Sequence, residues 1–118
     1  MPEINIFKNA SNFQIYEPGA VIFQRGEQSD CMYAVVDGEI DILVDGKVID
    51  TARAGSLIGE MALIDNSPRS ATAQAKTQVK VVPVSQKHFL FMVQQTPFFS
   101  IQVMQIMAER LRRLMASH

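Results

Sequence analysis

The sequence predicts a mainly β fold with flanking α-helices, in which an all-β sandwich, roll or barrel is followed by a pair of C-terminal helices. Two observations predict it. Between about residues 13 and 85, short segments rich in β-branched and aromatic residues alternate with turn-forming residues. From about residue 86 to residue 116, apolar residues recur every three or four positions, which is the helical period. A chain of 118 residues is long enough for one domain with a substantial core.

The strand predictions follow from composition and alternation. Residues 1–13 contain only a short apolar pattern, which indicates a small helix or a turn. Residues 40–45 alternate in the way expected of a half-buried strand. Further strands are predicted around Val21 and Phe23, over residues 32–36 and 47–50, and over residues 79–84, with Pro83 near a strand end or a sheet edge.

Glycine-containing turns separate these strands. Asp37-Gly38 and Asp45-Gly46 are hairpin signals, because a tight hairpin turn needs positive φ at both central residues. The second of these turns should join residues 40–44 to a partner strand at 47–50. Other turns are predicted at Pro18-Gly19, Gly26-Glu27 and Ala54-Gly55.

Two helices are predicted after the last strand. Ser85 can cap the first, Gln86–Gln95, because its hydroxyl can accept a hydrogen bond from an early amide. Thr96 is expected to cap the second, with Pro97 at its first position, and this helix should run to about Ala116.

The second helix carries two adjacent apolar stripes. The first consists of Ile101, Met104, Ala108, Leu111 and Met115, and the second of Phe99, Val103, Ile106 and Leu114. This apolar surface is wider than one contact needs, so we expect one stripe to cover the roll and the other to pack against a second copy in a homodimer. The alternative is that one monomer buries both stripes.

The net charge of −1 argues against direct nucleic-acid binding, which needs clustered cations. The charges are nevertheless uneven: eleven of the twelve acidic residues lie at or before Asp65, and seven of the eleven Lys and Arg residues follow it. Two oppositely charged faces of one body explain this distribution better than a basic binding arm, because no run of like charges exceeds two residues.

The single cysteine, Cys31, cannot form an intrachain disulfide, and we interpret it as a buried apolar residue in a reducing compartment. The N-terminus shows no signal-peptide pattern, and no apolar run is long enough to cross a bilayer. A soluble cytoplasmic protein without membrane contact is therefore expected. An enzyme is not expected, because His88 and His118 are the only histidines and the sequence contains no P-loop, nucleophile elbow or candidate triad.

Residues 58–72, here called the cassette, combine features suited to a cyclic nucleotide. Backbone amides at the start of a short helix can hold a phosphate, and Gly59 has no side chain to obstruct it. Arg69 can offer a planar fork of donors to the phosphate oxygens. Glu60 can accept a hydrogen bond from a ribose 2′-hydroxyl, which stays free when the phosphate is cyclised between the 3′ and 5′ positions. Each residue alone also has an ordinary structural explanation, in a turn, a solvated face or a surface ion pair.

The cassette resembles the phosphate-binding cassette of the cyclic-nucleotide-binding domain family. The resemblance extends to residues 16–27, which look like the family's first strands and turns, and to residues 32–42, which look like its next hairpin. It implies a jelly-roll-like β-roll, or double-stranded β-helix, over about residues 13–85, followed by C-terminal helices over about 86–116, all within a single domain of residues 1–118.

The resemblance also implies a set of ligand-binding residues for cAMP or cGMP, with no other cofactor and no metal. These are Gly59, Glu60, Met61, Ala62, Arg69, Ser70 and Ala71, joined by Arg110 and Leu114 from the last helix. Ser70 has three alternatives, namely a phosphate contact, a base contact or a turn hydroxyl. Arg110 is also explained by the helix dipole. At Leu114 and Met115 the family's bacterial activator carries hydroxyl residues that contact adenine, and the aliphatic side chains here leave the choice of base open.

The function implied is that of a regulatory sensor in which ligand binding moves the C-terminal helix, with an unidentified effector protein as a further partner. The sequence ends two residues after that helix, so the helix-turn-helix domain of the bacterial activator is not expected here. Two alternatives remain, which are an interaction module that has lost its ligand and a sensor subunit or fragment of a larger regulator.

Overall fold

Two four-stranded antiparallel sheets form the body of the protein in the computed structural model, which describes residues 3–116. One sheet has the strand order β1-β8-β3-β6 and the other the order β2-β7-β4-β5. His118, named above, lies outside the described residues. The elements within residues 3–116 are β1 (Gln14–Tyr16), β2 (Val21–Phe23), β3 (Cys31–Asp37), β4 (Glu39–Val44), β5 (Lys47–Arg53), β6 (Leu57–Ile58), α1 (Met61–Asp65), β7 (Thr72–Ala75), β8 (Val79–Ser85), α2 (Gln86–Gln95) and α3 (Phe98–Ala116).

The hairpin predicted at Asp45-Gly46 joins β4 to β5. Both turn residues have positive φ, 53° at Asp45 and 77° at Gly46, as a tight hairpin turn requires. β4 and β5 are paired from Val44 and Lys47 back to Glu39 and Arg53. The hairpin prediction is therefore confirmed. It could be made from the sequence because the two turn residues alone determine this connection.

The hairpin prediction at Asp37-Gly38 is wrong. β3 pairs with β6 and β8, whereas β4 pairs with β5 and β7, so this turn carries the chain from one sheet to the other. Only Gly38 has positive φ, at 85°, and a Cβ there would overlap the carbonyl oxygen of Gln78. Close backbone approach at a corner between sheets therefore explains this glycine.

Pro83 occupies the sheet position predicted for it. It pairs with Tyr33 of β3, whereas β1 pairs with β8 only as far as Val81. The strand therefore has one neighbour at the proline, where a missing backbone donor costs least.

Two apolar clusters make up the core. Alternation along β3 divides them, because Val35 faces the opposite sheet and Met32 faces the helices. The cluster between the two sheets includes Phe23, Ile40 and Val81. The cluster between the first sheet and the helices receives Ile4, Phe7, Phe89, Met92, Phe99, Val103 and Ile106. Of the two predictions for the N-terminal segment, a small helix or a turn, the structure shows a turn, over residues 6–9.

The helices follow the prediction closely. Ser85 caps α2, and its hydroxyl accepts a hydrogen bond from the His88 amide at 3.1 Å. α3 begins at Phe98, one residue later than predicted, and Thr96 supports it through its backbone carbonyl, which accepts from the Phe99 amide at 2.8 Å. Among the helices of residues 3–116, none is both long and apolar enough to span a membrane.

The two stripes of α3 have different environments. Phe99, Val103 and Ile106 are at most 5% exposed and pack against the first sheet. In the other stripe Ile101, Met104, Leu111 and Met115 are 42–65% exposed. The alternative in which one monomer buries both stripes is therefore wrong.

Candidate functional site

A cavity of about 270 Å³ lies where the cassette, the β4–β5 hairpin and α3 meet. All nine residues named as candidates line it, which are Gly59, Glu60, Met61, Ala62, Arg69, Ser70, Ala71, Arg110 and Leu114. Met115 does not line it and is 65% exposed. Six further lining residues, none of them singled out in the sequence analysis as ligand contacts, are Phe23, Ile42, Val44, Ile49, Ile58 and Pro68.

The cassette enters the cavity through a left-handed turn. Gly59 has φ +74°, and a Cβ at this position would overlap Nη1 of Arg69. α1 follows from Met61 to Asp65, and its C-cap, Asn66, is another left-handed residue with φ 57°. Within the turn the Ala62 amide donates to the Gly59 carbonyl over 3.3 Å, a long bond that engages one of the predicted phosphate-binding amides.

Arg69 is held by its backbone as well as by its side chain. Its amide donates to the Glu27 carbonyl at 2.8 Å, and its carbonyl accepts from the Gly26 amide at 2.8 Å, so the cassette is tied to the turn after β2. Its Nη1 donates to the Gly59 carbonyl at 3.1 Å. Its guanidinium carbon lies 4.2 Å from the centre of the Phe23 ring, within cation–π distance.

The Arg69 guanidinium is a buried charge. The residue is 4% exposed, makes no ion pair within residues 3–116, and its Nε has no hydrogen-bond partner there. Burying an unpaired ion costs several kcal/mol, and the ring of Phe23 and one carbonyl offset only part of that cost. The arrangement is therefore suited to an anion that brings its own acceptor atoms into the cavity.

Glu60 and Arg110, which both line the cavity, form a mostly buried ion pair. Nη1 of Arg110 donates to Oε1 of Glu60 at 2.9 Å, and the Glu60 side chain is 7% exposed. Nη2 of Arg110 donates to the Leu57 carbonyl at 2.6 Å and to Oγ of Ser56 at 3.2 Å. These contacts, and not the helix dipole alone, account for Arg110. They connect α3 to β6 and the cassette.

Asp50 is a member of this network that sequence reasoning missed. Its Oδ2 lies 3.2 Å from Nε of Arg110, with the geometry of an ion pair and not of a hydrogen bond, and 3.0 Å from Nη2 of Arg113. No local signal identifies it, because its partners are sixty or more residues away and reach it only once α3 is docked. By contrast, Ile42 and Val44 were predictable in principle from the alternation of β4.

Two ionisable groups near Arg69 have raised pKa values. Burial is the main cause of the raised pKa of Tyr33, whose ring stacks on Phe23 with centroids 6.1 Å apart. Burial likewise raises the pKa of the Cys31 thiol, so the neutral form is favoured at pH 7. The prediction that Cys31 is buried is wrong, because the residue is only partly buried, but a neutral thiol agrees with its interpretation as a small residue and not a nucleophile.

The chain belongs to the cyclic nucleotide-binding domain family, whose model matches residues 13–96. The family is a regulatory one. The chain is 36% identical over 89 residues to the cAMP-dependent protein kinase regulatory subunit of Yarrowia lipolytica, covering 74% of this chain and 24% of that protein. The chain thus spans about a quarter of the length of this curated relative.

Solved structures share the fold. A cAMP-bound structure of PfPKA-R superposes with a TM-score of 0.73 at 30% identity, covering 86% of this chain and 35% of that one. The catabolite activator protein of Thermus thermophilus superposes with a TM-score of 0.76 at 24% identity, covering 89% of this chain and 52% of that one. The predicted β-roll followed by C-terminal helices is confirmed by these superpositions.

Proposed function

We propose that this domain binds cAMP or cGMP in the cavity beside Arg69, as a regulatory sensor that performs no catalytic step and needs no other cofactor. The observation that carries the proposal is the buried guanidinium of Arg69, which lines a cavity and makes no ion pair within residues 3–116. A cyclic phosphate carries one negative charge with exposed oxygens, so it complements this group in charge and in hydrogen bonding.

Each candidate residue has a part in this arrangement. Arg69 binds the exocyclic oxygens, and the amides of Gly59 and Met61 approach the phosphate from the cassette turn. The Ala62 amide joins them by giving up its long bond to the Gly59 carbonyl. Ser70 and Ala71 border the phosphate side, and Glu60 accepts the ribose 2′-hydroxyl. The base meets a largely apolar wall, to which Ile42, Val44, Ile49 and Leu114 contribute. Such a wall offers contact area and stacking more than base-specific hydrogen bonds.

The energies are adequate for this role. Hydrogen bonds to charged groups contribute about 1.5–3 kcal/mol each. A Kd near micromolar corresponds to about −8 kcal/mol. Arg69, Glu60 and a few amides supply the anchoring part, and burial of the base supplies the remainder. The cAMP bound to PfPKA-R, a structure that shares this fold at 30% identity, supports the same ligand class.

The sensor output runs through α3. Arg110 and Leu114 belong to this helix and line the cavity, so a ligand there changes the contacts that hold the helix. The exposed stripe on the same helix is the surface through which we expect a homodimer to form, with an unidentified effector protein as a further partner.

The test is isothermal titration of cAMP and of cGMP into the apo protein and into two variants. Arg69→Ala should weaken binding at least about tenfold, because the phosphate loses a charge-assisted pair. The matched control is Arg53→Ala, which removes an arginine that is 65% exposed and paired with Glu39, neither of which lines the cavity. Its affinity should equal that of the wild type.

Two results would redirect the interpretation. Equal affinities for the wild type and Arg69→Ala would exclude Arg69 from the site. No binding at millimolar nucleotide would overturn the proposal and favour the alternative of a ligand-independent interaction module.

A further inference from the structure

Asp50 does not line the nucleotide cavity, yet it contacts the helix that does. Its side chain is only 12% exposed and lies on β5, the edge strand of the second sheet. Its carboxylate meets two arginines of α3, at 3.2 Å from Nε of Arg110 and 3.0 Å from Nη2 of Arg113. A mostly buried carboxylate on a sheet thus pairs with two arginines of a helix.

The guanidinium of Arg110 lies between two carboxylates. Asp50 meets its Nε, and Glu60 accepts from its Nη1 at 2.9 Å. The Glu60 contact uses Oε1, so Oε2 is the oxygen that can accept a ligand hydroxyl. A guanidinium paired with Asp50 at Nε and bonded to the Leu57 carbonyl at Nη2 has little freedom to rotate, and its bond to Oε1 therefore restrains the Glu60 carboxylate.

Resting on the proposed function, we propose that Asp50 is a positioning residue for sugar recognition. It acts through Arg110 to hold Glu60 with Oε2 directed at the 2′-hydroxyl of the bound ribose. The Leu57 carbonyl, 2.6 Å from Nη2, also restrains Arg110, so removal of Asp50 loosens the guanidinium without releasing it. We therefore expect removal of the Asp50 carboxylate to reduce, and not abolish, recognition of the 2′-hydroxyl.

Arg113, the second partner of Asp50, contributes less to the positioning of Glu60. Arg113 is 44% exposed and also pairs with Glu109 on its own helix. Exposed ion pairs are screened by solvent and contribute little. Arg110, at 16% exposure, is the partner through which Asp50 influences the site.

The experiment compares two ligands that differ only in the hydroxyl that Glu60 is proposed to bind. Kd values are measured by titration calorimetry for cAMP and for 2′-deoxy-cAMP, with the wild type, Asp50→Asn and Asp50→Glu. Glu39→Gln is the matched control, because Glu39 is an ion-paired acid of the same sheet whose partners, Arg53 and Lys76, do not line the cavity.

The wild type should prefer cAMP over the deoxy ligand by about tenfold, the effect of one hydrogen bond to a charged acceptor. Asp50→Asn should weaken cAMP binding by about threefold to tenfold while leaving the deoxy ligand within about twofold, so the preference shrinks. Asp50→Glu should restore part of it, and Glu39→Gln should keep it.

A purely structural role for Asp50 would weaken both ligands equally in Asp50→Asn and leave their ratio unchanged, which would overturn the inference. If Asp50→Asn does not fold, Asp50→Ser, which also lacks the carboxylate, supplies the ratio instead, and an unchanged ratio there has the same meaning. If wild-type protein binds neither ligand, the proposed function itself fails, and this result is distinct from a constant ratio.

Discussion

The Nη1 atom of Arg69 donates to the carbonyl oxygen of Gly59 at 3.1 Å, and this bond joins the two ends of the cassette. The same guanidinium occupies the space that a Cβ on residue 59 would need. Glycine at one end and arginine at the other therefore depend on each other. The order of residues in the cassette reflects this geometric fit as well as ligand chemistry.

Gly59→Ala should displace the Arg69 side chain and weaken cyclic nucleotide binding by about tenfold or more, as measured by titration. The substitution also forces an alanine to φ +74°, so some stability, about 1 kcal/mol, should be lost in denaturant unfolding.

Gly46→Ala is the control that separates these two effects. Gly46 has a similar φ of +77°, and a Cβ added there would meet no atom within 4 Å. The control should therefore lose comparable stability and no affinity. Equal affinity losses in both variants would contradict the fit between Gly59 and Arg69.

Ser85→Ala should destabilise the domain by about 1 kcal/mol, because the His88 amide at the start of α2 loses its acceptor. The free energy of unfolding in urea is the measurement. Ser85→Asp keeps an acceptor at the cap and should retain most of the stability. A Ser85→Ala variant as stable as the wild type would show that the cap contributes nothing here.

Protonation of Asp65 should loosen the turn that follows α1. The Ser67 hydroxyl, at 2.6 Å, and the Ser67 amide, at 3.0 Å, donate to its carboxylate, and these bonds lower the pKa of Asp65 below its ordinary value. A depressed pKa in the folded state stabilises the fold above the unfolded pKa, and this contribution is lost as pH falls through the folded pKa. A carboxyl-detected NMR titration should show the low pKa, and Ser67→Ala should raise it. An unchanged pKa in that variant would contradict the assignment.

Leu111→Glu should convert the proposed homodimer into a monomer, because Leu111 is 58% exposed on the free stripe of α3 and would place a charge in the contact. Light scattering coupled to size-exclusion chromatography measures the mass. Leu90→Glu is the matched control, since Leu90 is 57% exposed but lies on α2. A wild type that is monomeric at all concentrations, or a control that dissociates equally, would contradict a dimer through this stripe.

Sequence reasoning succeeded where short-range chemistry decides the structure. The Asp45-Gly46 hairpin, the Ser85 cap and the bounds of α2 each depend on a few adjacent residues. It failed at Asp37-Gly38, because the choice between a hairpin and a corner depends on which distant strands pair with β3 and β4.

The same distinction applies to the site. Gly59, Glu60 and Arg69 lie within one segment and line one cavity, so their order along the chain was enough to make them candidates. Asp50 was missed because its contact with Arg113 spans 63 residues and forms only when α3 packs on β5. Ion pairs of this kind leave no periodic or local pattern in a sequence.

The backbone bonds that tie Arg69 to Gly26 and Glu27 give the cavity two unlike walls. The wall bearing Arg69 is bonded into the roll by its backbone, so we expect it to stay stationary when a phosphate binds. The opposite wall belongs to α3, which is held by apolar packing and by the side-chain contacts of Arg110, and no backbone hydrogen bond of a sheet fixes it within the part of the chain that the structure describes. We therefore expect closure around a ligand to be one-sided, with most of the movement in the helix.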